Sequence, residues 1–135
     1  MHAQDMDRFY RAYLDCLNRR DWDALGEFVA ESVSHNGRAF GLEGYRRMLE
    51  DDVRSIPDLR FSIDQLACTA PIIAARLVFD CTPMGELFGL PVNGRRVRFC
   101  EHVFYRVEAG RIAQVWSLID RAAIQAQLSQ VPSSP

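Results

Sequence analysis

The sequence predicts an α+β fold in which a curved antiparallel sheet wraps N-terminal helices. Three observations carry that expectation. Up to Ile56, apolar residues recur at three- and four-residue steps. Beyond Pro57 the period falls to two. Glu108-Ala109-Gly110 then divides the last apolar stretch as a hairpin turn divides two strands. Helices first and strands later is the order of an α+β domain.

Met6, Phe9, Tyr10, Tyr13, Leu14 and Leu17 form one apolar face of a helix from about Gln4 to Arg20. Asp21 can cap a shorter second helix with Trp22, Leu25, Phe28 and Val29 inward. Residues 32–36 form a short strand candidate, and 37–41 a turn. A third helix has Leu42, Tyr45, Leu49, Val53 and Ile56 on one side, and Pro57-Asp58 ends it. Strands follow at Leu59 to Ile63, 72–81, 95–107 and 111–120. The loop 83–94 holds Met84, Leu87, Phe88 and Leu90, too apolar for full solvation, and is expected to cover a pocket mouth. Asp120 opens a short last helix, and 131–135 is expected to be a frayed tail.

A three-residue turn at 108–110 would set Val107 opposite Arg111. Phe104 would then oppose Gln114, His102 Trp116, Cys100 Leu118, and Arg98 Asp120. These residues share one sheet face, expected to line the pocket. Val97, Phe99, Val103, Tyr105, Val115 and Ile119 share the other. With both faces partly apolar, the second is expected to be a homodimer interface.

Composition excludes several function classes. The 135 residues suit one domain, 1–135, with its core at about 4–128. Sixteen basic against eighteen acidic residues give a net charge of −2, so nothing draws the chain to nucleic acid or membrane surfaces. No apolar run approaches the roughly 18 residues of a membrane span. The start of the chain lacks export-signal character, which points to the cytoplasm. The four cysteines show no metal spacing and read as reduced. No two of the three histidines stand at metal spacing, and the glycines match no phosphate-binding loop, so neither metal nor cofactor is expected.

Three stretches carry a family resemblance. Gly41-Leu42-Glu43-Gly44 precedes a helix that ends at Pro57-Asp58-Leu59. The loop reads Met84-Gly85-Glu86-Leu87-Phe88-Gly89-Leu90-Pro91-Val92-Asn93-Gly94-Arg95. Phe104-Tyr105-Arg106-Val107 is followed by Gly110-Arg111-Ile112, Trp116 and Asp120. In order and spacing these resemble the SnoaL-like polyketide cyclases of the nuclear-transport-factor-two-like superfamily. The resemblance implies a cone-shaped α+β barrel, usually dimeric. It also implies cofactor-free acid–base chemistry, as in ring closure of aromatic polyketides by intramolecular aldol condensation.

The resemblance places Asp120 at the position of the family's acid/base aspartate. An aldol closure needs a base beside a carbonyl and an acid for the new alkoxide, and a buried carboxyl can serve as both. Asp120 equally suits a helix N-cap or a pair with Arg98. His102 and His35 are further catalytic candidates, able to polarise a carbonyl or carry a proton. Trp116, Phe104, Leu118, Gln114 and Phe88 are the expected pocket lining. Arg95, Arg96 and Arg98 read as a solvated strand edge. Two functions remain open: an enzyme that cyclises, isomerises or dehydrates a small apolar carbonyl compound, and a non-catalytic ligand-binding or dimerisation module on the same scaffold.

Overall fold

The computed structural model describes residues 2–130; Met1 and the expected frayed tail, 131–135, lie outside the described residues. Helix α1 spans Ala3–Asn18 and buries Met6, Tyr10, Tyr13, Leu14 and Leu17, the face its periodicity marks. The second helix is a single 3₁₀ stretch, Trp22–Glu27, with Gly26 inside it. Glycine disfavours a longer α-helix there, and 3₁₀ geometry is used in such short pieces. Val29, expected on that helix, instead begins strand β1, Val29–His35. Helix α2, Gly41–Ser55, ends at Ile56, whose extended backbone suits a residue before proline.

Strands β2 (Ser62–Thr69) and β3 (Ile72–Cys81) form a hairpin. The apolar loop contains a two-residue-strand hairpin of its own, β4 (Glu86–Leu87) and β5 (Leu90–Pro91). The long strands β6 (Val97–Glu108) and β7 (Arg111–Ile119) follow, and helix α3, Arg121–Leu128, closes the described chain. The main sheet runs β1-β7-β6-β3-β2. Its pairs are antiparallel except β1 with β7, which is parallel. The α+β class with a curved, mainly antiparallel sheet is the architecture that the change of period predicts.

The β6–β7 register departs from expectation twice. The turn has two residues, Ala109 and Gly110, both at positive φ, so Glu108 rather than Val107 opposes Arg111. A bulge beyond Val107–Ile112 then brings Arg106 opposite Gln114. Phe104 therefore opposes Trp116, and His102 opposes Leu118. The two offsets add to two residues, so each side chain keeps its face-mates. What changes is which face points inward. Val97, Phe99, Val103, Tyr105 and Val115 are buried against the helices. Phe104, Trp116 and Leu118 are 54 %, 41 % and 74 % exposed on the outside.

Arg98 does not oppose Asp120. It stands opposite Asp80 of β3, while the Asp120 N–H donates to the Cys100 carbonyl at 3.0 Å. Arg95 is half-buried rather than a free strand edge. Its guanidinium donates to the Gln127, Leu128 and Gln130 carbonyls at the end of α3, where a cation complements the helix dipole. Of the apolar loop residues, Leu87 and Leu90 are core, Met84 is exposed, and Phe88 reaches the interior cavity.

Candidate active site

The cavity, about 330 Å³, lies between the inner sheet face and the helices. Helix α1 supplies Tyr13 and Leu17, and α2 supplies Tyr45, Met48, Leu49, Asp52 and Ile56. Those α2 positions repeat at helical spacing, so one stripe of the helix forms one wall. The sheet contributes Phe79, Phe99, Glu101, Val103, Tyr105, Val115, Ser117 and Ile119, and β1 ends at the cavity with His35 and Asn36. Phe88 closes one side and packs edge-on against Phe99, ring centroids 6.1 Å apart. The volume suits a small ligand, and the walls are mostly apolar and aromatic.

Two carboxyl groups break that apolar lining. Glu101 occupies an inward position of β6 between Phe99 and Val103. It accepts a hydrogen bond from the Ser117 hydroxyl, which lies diagonally across the hairpin's inner face, opposite Val103. Ser117 is itself clamped by Asn36. The Asn36 side-chain oxygen accepts from the Ser117 N–H at 2.8 Å, and its amide donates to the Ser117 carbonyl at 3.2 Å. The Asn36 N–H also donates to the Val115 carbonyl at 2.8 Å. Asn36 has φ of 50°, a left-handed conformation that asparagine tolerates better than most residues. The end of β1 thus holds Ser117, and Ser117 holds Glu101.

Burial raises the Glu101 pKa above the usual carboxylate range, and the Ser117 hydrogen bond partly offsets that rise. Asp52 is exposed as a residue, yet its carboxyl is pushed from 3.8 up to about 7. Burial is the largest cause, the Glu101 charge the second and Asp51 the third. The two carboxyls therefore titrate as a coupled pair. The Ser117 donor favours the charged form of Glu101, and a pKa of about 7 lets Asp52 hold a proton near neutral pH. His35 is half-buried, stacked on Phe40 with ring centroids 5.5 Å apart, and burial lowers its pKa, so the ring is neutral at pH 7. Among the described residues no cluster of three His, Cys, Asp or Glu side chains could hold a metal ion.

The expected site residues divide accordingly. His35 and Phe88 line the cavity. His102, Trp116, Phe104 and Leu118 do not: they sit on the outer sheet face, with Gln114 on the same alternation. Both faces offer apolar side chains, and only the packing of the helices selects the inner one. Asp120 is exposed outside the cavity, where its carboxylate accepts the Ala123 N–H at 3.1 Å as the N-cap of α3. Sequence reasoning missed Glu101, Ser117 and Asp52. Glu101 shares the alternation of Phe99, Val103 and Tyr105, so an acid in an otherwise apolar row was the available sign. Asp52 likewise lies seven residues beyond Tyr45 on the apolar face of α2.

The comparisons agree with this architecture. The family model for SnoaL-like polyketide cyclases matches residues 7–128. A crystal structure of a SnoaL-like polyketide cyclase from Agrobacterium tumefaciens is 53 % identical, with a TM-score of 0.92, covering 96 % of this chain and all of that one. TsrD from Streptomyces laurentii is 23 % identical with a TM-score of 0.83, over 97 % of this chain and 99 % of its own. IdmH from Streptomyces antibioticus is 22 % identical with a TM-score of 0.78, over 92 % and 98 %. At those identities the last two speak for the fold alone. No curated protein matches the chain. From its sequence pattern, its fold and these likenesses, the chain belongs to the SnoaL-like polyketide cyclase family.

Proposed function

We propose that the protein is a cofactor-independent acid–base enzyme acting on a small, largely apolar carbonyl compound, by intramolecular aldol ring closure or a related isomerisation or dehydration. The observation that carries the reading is the coupled pair, Glu101 and Asp52, inside an aromatic cavity. Glu101 takes the proton next to the substrate carbonyl and leaves an enolate. The enolate carbon attacks the second carbonyl, forming the new carbon–carbon bond and an alkoxide. Asp52 then gives its proton to that alkoxide. Proton exchange with water restores the pair. The neutral His35 ring lies beside the same space and can orient a carbonyl. Holding two carboxyls at the wall of an apolar cavity weakens a fold, and a site that merely shelters an apolar ligand has no need of them. Asp120, as a helix cap, and His102, on the outer face, stand outside this mechanism.

The test needs no knowledge of the natural substrate. The protein should speed exchange of the acidic C–H protons of 2-tetralone, a bicyclic ketone, for deuterium, as followed by proton magnetic resonance. Glu101→Gln should abolish that acceleration. Equal exchange by wild type and Glu101→Gln would leave the ligand-binding reading in its place.

The proposal includes homodimerisation through the outer sheet face. Phe104 and Trp116 are cross-strand partners there, and Leu118 extends the same apolar patch. That is the opposite face from the one expected to meet a partner. Among the described residues no helix is long and apolar enough to cross a membrane. A cytoplasmic setting is likewise proposed, supported by the four cysteines, all of them free thiols.

A further inference from the structure

We propose that Tyr45, backed by Tyr13, is the hydrogen-bond donor that holds the substrate's carbonyl oxygen while negative charge builds on it. This deepens the acid–base reading and rests on it for the reaction concerned, but the hydrogen bond itself can be observed separately. Among the described residues no arginine or lysine lines the cavity. An enolate formed by Glu101 therefore has no cation to lean on. A donor aimed at the oxygen is the remaining way to stabilise it. The Ser117 hydroxyl is committed to Glu101.

The tyrosines supply the donor through a count of hydrogens. The Tyr13 and Tyr45 hydroxyls lie 2.6 Å apart, fully inside, and both residues line the cavity. Two hydroxyls carry two hydrogens, and only one fits between the oxygens. The other remains on the accepting oxygen, and no second protein partner takes it among the described residues. Either hydroxyl can be the donor of this pair; with Tyr13 donating, Tyr45 keeps the spare hydrogen, on the α2 face it shares with Asp52. A donor that itself accepts a hydrogen bond is strengthened by polarisation.

A second pair, Tyr10 with Tyr105 at 3.0 Å, provides the contrast. Tyr105 lines the cavity, but Tyr10 does not. Either hydroxyl can be the donor there, and Tyr10 itself stands away from the substrate space. Tyr45 and Asp52 are seven residues apart on one face of α2, roughly 10 Å along the helix. A ligand between them meets a hydroxyl donor at one end and a protonated carboxyl at the other. That arrangement suits a compound with two separated carbonyl oxygens.

Infrared spectroscopy of carbonyl-labelled 2-tetralone bound to the full chain tests this directly. The carbonyl band should move to lower frequency in wild type, less so in Tyr13→Phe, and least in Tyr45→Phe and the Tyr13→Phe/Tyr45→Phe double variant. Tyr10→Phe, which also removes a buried hydroxyl, should keep the wild-type band. Deuterium exchange should fall roughly 100-fold in Tyr45→Phe, the usual scale for losing one such donor. Circular dichroism checks folding, and if the double variant fails to fold, Tyr45→Phe alone carries the test. A wild-type band at the solution frequency overturns the inference, as does a wild-type band retained in Tyr45→Phe. A lowered band without exchange in the wild type removes the Glu101 reading and leaves the Tyr45 contact standing. Exchange that needs Glu101 but comes with an unshifted band does the reverse.

Discussion

The inner and outer faces of the β6–β7 hairpin are built from one ladder but differ in what each can do. The inner face sets Phe99, Val103, Tyr105 and Val115 around one carboxylate, Glu101, with Ser117 as its donor. The outer face sets His102 beside Phe104, Trp116 and Leu118 in contact with solvent. By residue type the outer row looks the better active site, with a histidine, an indole and a phenyl ring. Water decides otherwise. A carboxyl shut among aromatic rings is perturbed toward neutral pH, whereas the outer histidine stands in solvent. The comparison separates chemical equipment from chemical environment, and catalysis depends on the second.

The largest effect that can break this comparison is on proton transfer. Glu101→Gln should lower deuterium exchange of 2-tetralone by roughly 100-fold or more, the scale for loss of a general base. His102→Gln should leave exchange within about twofold of wild type, because the group stands outside the cavity. If magnetic resonance shows those two results exchanged, the inner face is not the working one.

Next comes assembly. Leu118→Asp places a charge at the most exposed residue of the outer patch. It should weaken self-association about 30-fold or more, the cost of damaging an interface hot spot. Sedimentation across micromolar concentrations checks this, and a wild-type chain that sediments as a monomer would remove the dimer from the proposal. Exchange activity per chain measures whether the inner site depends on that assembly.

A smaller effect concerns pH. Burial and the Glu101 charge raise the Asp52 pKa from 3.8 to about 7 in the folded chain, and Glu101 is raised as well. The folded state then binds more protons than the unfolded chain between about pH 4 and 7. Stability should therefore fall as pH rises through that window. Asp52→Asn should flatten the dependence and melt a few degrees above wild type at pH 8, on the scale of roughly 4 °C per kcal/mol for a domain near this size. Thermal melts at pH 5 and pH 8 decide the sign. Ring closure, which needs the Asp52 proton, should also decline above about pH 7.

The smallest expected effect is at Asp120. Asp120→Ala should cost about 1 kcal/mol of stability through the lost N-cap, and Asp120→Asn should be nearly neutral, since asparagine caps equally well. Neither should slow exchange. Denaturant titration of both variants, alongside the exchange assay, would expose a catalytic aspartate that the geometry does not reveal.

Much of the fold was legible in the chain. The α1 face, the end of α2 at Ile56 before Pro57, the bounds of β3 and the turn beside Gly110 follow from local chemistry: side-chain period, a missing proline N–H, and glycine's tolerance of positive φ. The candidate site was legible only in part. His35 and Phe88 were in view, but Glu101 and Asp52 were hidden within rows read for their apolar members.

The sequence by itself determined which residues share a face of each element, and the fold class that follows from that. Alternation survived even the two-residue register change, because an even offset preserves parity. Only the tertiary structure decided which face of β6–β7 looks inward. That choice comes from helices α1 and α2, distant in sequence, and from the parallel pairing of β1 with β7, which carries Asn36 to Ser117. Local periodicity records what a segment can bury. Which side is buried depends on contacts between segments, and the raised carboxyl pKa values exist only once those contacts have removed the water.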